Sequence, residues 1–282
     1  HFALLVYRGP DVLALVIAKH DGQVIDDKTL IGDVDHDVEG NEWFGHGIRA
    51  GRLTSVGDGW AAYYTVRRLW PDGVAHYGDQ IRIFETDGTP RSGGWGWGCS
   101  HSMEVRISHN GQRLGPLCAS DCYPSKGVHF NHRGGELWSD EQGSNCAGSY
   151  GTSLGASVPT SDGFWLAFTA TDERDSHDVA IARVADRSVG EPIWLTADDV
   201  RDSALNAQMY GDELLVAWQA DSTTRFSLIS DPDGAVAQEP ESISGANLSG
   251  SSDFFVYANG DVGWAQRAQG GSIELARLRH CP

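Results

Sequence analysis

The 282-residue sequence contains no apolar run near the roughly 18 residues of a membrane-spanning helix, so no membrane partner is expected. Helical periodicity is nearly absent, which excludes a helical bundle and an α/β layer. Basic residues are scarce: 21 Lys and Arg stand against 39 Asp and Glu, a formal charge of −18. Such a surface repels phosphate backbones, so nucleic acid is not an expected partner. It favours cations, and solubility in salty or extracellular settings. The five cysteines, at positions 99, 118, 122, 146 and 281, include no CxxC pair, which excludes a zinc ribbon. Neither a phosphate-binding loop nor a dinucleotide fingerprint is written in the chain. No linker divides it, and a single domain over residues 1–282, monomeric, is expected.

What is present is a repeat. A small Asx/Gly turn recurs at Gly57-Asp58-Gly59, His109-Asn110-Gly111, Ser161-Asp162-Gly163, Tyr210-Gly211-Asp212 and Asn259-Gly260-Asp261, roughly every 50 residues. Each turn opens a short apolar strand such as WAAYYTV, FWLAFTAT or ELLVAWQA, and a second strand follows, as in QIRIFETDG, DVAIARVAD and RFSLISDPDG. Turns of this kind join antiparallel hairpin strands. Four short strands per repeat of about 50 residues resemble the blades of the β-propeller superfamily, and the resemblance covers the whole chain. It implies an all-β fold of about six four-stranded blades, a trimmed seven-bladed ring being the alternative. FALLVYRG reads as a second strand of a blade, and DVLALVIAKHDGQVI as the third and fourth. The chain therefore begins inside a blade and ends after a third strand at IELARLRH.

In such a blade the marked turns lie at one end, short and plain. Long connections gather at the other: Gly32–His46, Gly93–His101, Gly143–Tyr150 and Thr196–Ser203 lead into innermost strands, and Val66–Asp79, Ser120–Gly127 and Thr171–Asp178 join second to third strands. Long loops on one end of a rigid scaffold are where function sits. His46, His101, Tyr150 and Arg201 close the inward connections, with Arg52 and Arg106 further along their strands. The set is chemically unequal from blade to blade, which points to one polar site rather than a multivalent array.

Each constellation there carries two readings. Asp33, Asp35, Asp37 and Glu39 alternate in GDVDHDVE and could ligate calcium, or form a solvated acidic loop. His76 and His177 join His46 and His101 at the same end, where imidazoles could hold zinc or copper, serve as base, or bond backbone. Arg52 and Arg106 could clamp an anion, or pair internally, Arg106 with Glu104. Trp95 and Trp97, in the glycine-rich stretch GGWGWGCSHSMEVR, could stack on a sugar ring. Trp60, Trp165, Trp218 and Trp264 read as equivalent packing positions in second strands. Cys99, Cys118, Cys122 and Cys146 are expected to form two disulfides with the pairing open, leaving Cys281 over, which with the start at His1 suggests a processed, secreted or periplasmic protein.

Two functions follow. One is a metal-assisted lyase or hydrolase on an acidic or sugar-like substrate, with His46 or His101 as base, Tyr150 as acid and Arg106 as carboxylate anchor. The other is a non-catalytic propeller that binds a small molecule, glycan or peptide, its loops shaped by calcium.

Overall fold

The computed structural model describes residues 1–8, 12–31, 34–36, 42–44, 50–69, 73–99, 104–131, 135–139, 146, 152–171, 176–185, 188–231, 233–250, 252–268 and 271–280. The chain divides into two compact units, His1–Tyr150 and Gly151–Pro282. Six antiparallel sheets, three per unit, are the six blades of a β-propeller, and no helix occurs among the described residues.

In the first unit, the first sheet runs Phe2–Tyr7, Leu13–Ala18, Val24–Ile31, and lacks an innermost strand as expected. The second is built on Gly51–Val56, Gly59–Leu69, Ala75–Glu85 and Pro90–Trp95. A small hairpin, Val34–His36 with Glu42–Phe44, adds to it through Trp43↔Arg68 and Phe44↔Arg67. The third comprises Glu104–Arg106, Leu117–Ser120, Gly127–Phe130 and Gly135–Ser139. Its second strand is only four residues long, because the chain between the turn and Leu117 makes only the isolated bridge His109↔Leu114.

In the second unit, the fourth sheet runs Thr152–Pro159, Gly163–Ala170, Asp178–Ala185, edged by Ser188–Val189 and Ile193–Trp194. The fifth has Asp202–Tyr210, Glu213–Ala220, Thr223–Ser230 and Val236–Ile243. The sixth stops after its third strand: Phe255–Val256, Val262–Arg267, Ile273–Leu278.

Strand alternation builds the cores between sheets. Tyr63 and Tyr64 are consecutive, and both are fully buried. Tyr63 packs with Ile81, Val105 and Cys118 towards the third sheet, while Tyr64 packs with Leu13, Leu15 and Ile17 of the first. In the fifth sheet, Leu214, Val216 and Trp218 meet Trp165, Val179 and Ile181 of the fourth. Leu215 and Ala217, one step out of phase, meet Phe254, Val262 and Trp264 of the sixth. A strand packed on both faces reads as a continuous apolar run, which is why Gly163–Ala170 is buried along its whole length. Each such large side chain contributes about 1.5–3 kcal/mol by leaving water. The outer strand Val236–Ile243 has no neighbouring sheet to cover it and is mostly exposed.

Two positions of the turns depend on glycine. Gly57, at a φ of +58°, closes the hairpin in which Val56 faces Gly59. Gly163 is needed for another reason: a Cβ there would lie 1.7 Å from the Val184 carbonyl oxygen. The four tryptophans read as equivalent do not share a register. Trp165 sits near the start of its strand and Trp218 near the end of its own. Packing selects the face a tryptophan points to, not its height along the strand. Trp165, Trp218 and Trp264 are nonetheless core residues.

Both disulfides form within the first unit, as Cys99–Cys118 and Cys122–Cys146. Cys281 lies outside the described residues. Among the described residues no helix is long and apolar enough to cross a membrane.

Candidate acid–base site

At the end where long connections gather, one arrangement recurs. A polar residue near the start of a third strand holds the segment that follows its sheet. In the second sheet, the Asp79 carbonyl accepts the Gly98 N–H at 2.9 Å, and its carboxylate accepts Trp95 Nε1 at 3.2 Å. In the fourth, Val179 N–H donates to Thr196 Oγ1 at 2.8 Å, and that hydroxyl reaches Asp178 Oδ1 at 3.4 Å. In the fifth, Thr224 Oγ1 donates to the Ala246 carbonyl at 2.9 Å. A feature repeated from sheet to sheet serves the scaffold.

Asp202 is not repeated. It opens the innermost strand of the fifth sheet, opposite Ala220. At the matching height of the fourth sheet stands Thr152, opposite Ala170, and its hydroxyl donates to the Thr169 carbonyl at 2.6 Å. A carboxylate cannot donate, so the same position in the fifth sheet needs another solution. Asp202 is 1% exposed, and its Oδ2 lies 2.6 Å from Thr196 Oγ1. Its Oδ1 is buried, with no hydrogen-bond partner among the described residues.

Thr196 carries one hydroxyl proton and already accepts from Val179 N–H. That proton is donated to Asp202, with Asp178 Oδ1 further off at 3.4 Å. Once Asp202 takes up a proton, its own O–H can donate to Thr196 and turn the hydroxyl proton towards Asp178. Burial pushes the Asp202 carboxyl up to about 6; the Thr196 hydrogen bond opposes this, and the charges of Asp198 and Asp178 add to it.

His177, Asp198, Arg201 and Arg225 neighbour this pair. The Asp202 N–H donates to the His177 carbonyl at 3.0 Å, which fixes the two segments together. The connection is shaped by Asp198, whose Oδ1 accepts the Val200 N–H at 3.0 Å and whose Oδ2 meets Arg225 Nη1 at 3.4 Å. The His177 imidazole is half-buried, and Arg201 is exposed. Burial, then the positive charge of Arg201, holds the imidazole below its ordinary range, against the opposing pull of Asp178. At neutral pH it is therefore an unprotonated base beside a guanidinium.

The other anticipated residues are distributed as follows. His46, His101, Tyr150, Asp33, Asp37 and Glu39 lie outside the described residues, and Asp35 is described only as backbone of the short strand Val34–His36. Arg52 donates to the Gly51 carbonyl at 3.0 Å, and its charge reaches Tyr7 of the first sheet. Arg106 is 3% exposed, and its Nη1 donates to the Val105 carbonyl at 2.9 Å. Trp95 packs edge-on against Tyr63 while bonding Asp79, and Trp97 covers Gly78, so both rings are engaged in packing. His76 is half-buried in the third strand of the second sheet, opposite Arg68. It belongs to the first unit and His177 to the second.

Among the described residues, one group could offer three ligand atoms to a metal: Asp79, Cys99 and Cys118, whose sulfurs are joined as a disulfide. Residues 151–155 read Gly-x-Ser-x-Gly, but Ser153 lies in the innermost strand of the fourth sheet, bonded to Thr169 Oγ1 at 2.9 Å. A nucleophile elbow requires a strand-to-helix turn, and this is not one.

No protein-family model matches the sequence, and no curated protein matches it either. Solved structures do. A neuraminidase-like protein from A/flat-faced bat/Peru/033/2010 is 8% identical over 82% of this chain and 68% of its own, with a TM-score of 0.51. TolB from Acinetobacter baumannii is 15% identical over 97% of this chain, with a TM-score of 0.50. This chain spans 59% of TolB, and 54% of a second bat neuraminidase-like protein whose TM-score of 0.47 supports no argument. These are propeller-type proteins, and at such identities the likeness speaks for the fold alone.

Proposed function

We propose that this β-propeller is a lyase or hydrolase acting on an acidic, sugar-like substrate, with His177 as the base and Arg201 as the anchor for a substrate carboxylate. The observation that carries the reading is an imidazole kept neutral beside an exposed guanidinium, at the end where the long connections meet. A neutral imidazole can take a proton at neutral pH. A guanidinium on the substrate carboxylate draws charge from the adjacent carbon and makes its proton easier to remove.

This moves the base from His46 or His101 to His177 and the anchor from Arg106, which is buried, to Arg201. Metal binding is proposed separately, within the first unit, with Asp33, Asp35, Asp37, Glu39 and His76 as candidate ligands for calcium, zinc or copper. Export is also proposed, and the two disulfides support it.

The test is a screen of uronate-bearing polysaccharides and oligosaccharides, with and without chelator, followed by unsaturated product and by new reducing ends. On any substrate the protein turns over, His177→Ala should lower kcat/KM by about 10²–10⁴. Arg201→Ala should act more strongly on acidic substrates than on their neutral esters. Turnover unchanged in both variants would refute the assignment. Specific binding with no turnover would leave the non-catalytic glycan- or peptide-binding reading in its place.

A further inference from the structure

The short-turn end, plain in sequence, carries a cleft. In the first unit a cavity of about 370 Å³ opens between the turns Gly57-Asp58 and His109–Leu114. A second of about 240 Å³ adjoins it between the first and second sheets, and Ile83 and Arg91 line both. Four of the chain's 21 Lys and Arg line the two: Lys28, Arg82, Arg91 and Arg113. Among the described residues, Asp58 is the one acid that does so. The chain as a whole has 39 acids to 21 Lys and Arg, and this lining inverts that ratio, with Lys28 also paired to Asp26 at 3.0 Å.

The wall of the larger cavity is also rich in donors. His109 Nδ1 accepts the Gly111 N–H at 3.3 Å, which leaves the ring proton on Nε2. The Asn110 side chain accepts the Gln112 and Arg113 N–H groups at 3.1 and 3.0 Å, so the turn that presents these residues is fixed from within. Arg91 spans the cleft. Its Nη1 meets Asp58 at 2.8 Å and its Nε meets Glu85 at 3.3 Å. The Asp58 side chain is 82% exposed, so its bond to Arg91 is a weak surface pair that a better-placed anion can displace.

We propose that this cleft is an anion-binding site that takes a carboxylate, sulfate or phosphate group between Arg91 and Arg113, with His109 Nε2–H as a third donor. Bidentate geometry suits two guanidiniums to such groups. Asp58 occupies Arg91 when no anion is bound. The site is separate from His177 and does not depend on the function proposed above.

The experiment is calorimetric titration of the full chain with sodium sulfate, sodium phosphate and a galacturonate oligomer, against sodium chloride at matched ionic strength. Saturable binding is expected for at least one. Arg91→Gln and Arg113→Gln should each weaken it about tenfold or more. Asp58→Asn should strengthen it several-fold by releasing Arg91, a gain that misfolding cannot imitate. A tighter oligomer identifies an acidic saccharide as the source, and equal affinities identify a free small anion; both support the site. Heats indistinguishable from chloride, binding retained in both arginine variants, or weaker binding in Asp58→Asn would each overturn it.

Discussion

Replacing Asp202 by Asn should stabilise the protein at neutral pH while leaving it unchanged in acid. Asparagine has the shape of the protonated acid, and its amide can donate to Thr196 so that Thr196 still donates to Asp178. The folded-state value of Asp202 is about 6 against 3.8 for the free group. An acid whose value rises on folding binds more protons folded than unfolded between those limits, so stability falls as pH rises from about 4 to above 6. At ~1.4 kcal/mol per pH unit the interval is worth at most about 3 kcal/mol. Above pH 7 the variant should exceed the wild type by up to that amount, seen as a rise of several °C in the transition containing the fifth sheet. Near pH 4 the two should coincide within about 0.5 kcal/mol. Thermal and urea unfolding between pH 4 and 8 would read this directly. A variant less stable than the wild type at every pH would show that Asp202 is needed as a carboxylate, and the proton chain would be wrong.

Two other outcomes concern the scaffold. Opening either disulfide, by Cys99→Ser with Cys118→Ser or Cys122→Ser with Cys146→Ser, should cost about 3 kcal/mol each, since the closed loops are 19 and 24 residues long; urea unfolding with and without reductant gives the comparison. Gly163→Ala should destabilise by more than ~3 kcal/mol or abolish soluble expression, because its Cβ would strike the Val184 carbonyl. Gly96→Ala, with nothing within 4 Å, should be neutral by the same assay.

The blade architecture was legible because its determinants are local. Turns such as Gly57-Asp58 fix a hairpin from a few residues, and alternation carries Tyr63 and Tyr64 to opposite sides without reference to the rest of the chain. Part of the proposed site was legible: His177 and Arg201 stood out on their connections, while the candidates His46, His101 and Tyr150 lie outside the described residues. Thr196–Ser203 stood out as an inward connection, and Arg201 as its closing side chain, but the buried titrating group is Asp202. A shift of one position along a strand reverses the face, and pattern alone gives too little to fix that phase at a strand's first residue. Asp178 and Thr196 drew no attention because single polar residues at strand starts are common, and only their convergence makes a pair. The cleft at the short-turn end was illegible for a different reason. It is a gap between neighbouring sheets, created by the side chains of Ile83, Arg91 and Leu114, and no loop length announces it.

The central claim is that the long-connection end of the fourth and fifth sheets pairs an imidazole at His177, held below its ordinary range, with a carboxyl at Asp202 that keeps its proton up to about pH 6. The most direct measurement is a nuclear magnetic resonance titration of both side chains between pH 3 and 8 in the folded protein. The account predicts that Asp202 titrates near 6 and His177 below its ordinary 6.5. Asp202 titrating at or below 3.8, with His177 at or above 6.5, would contradict it.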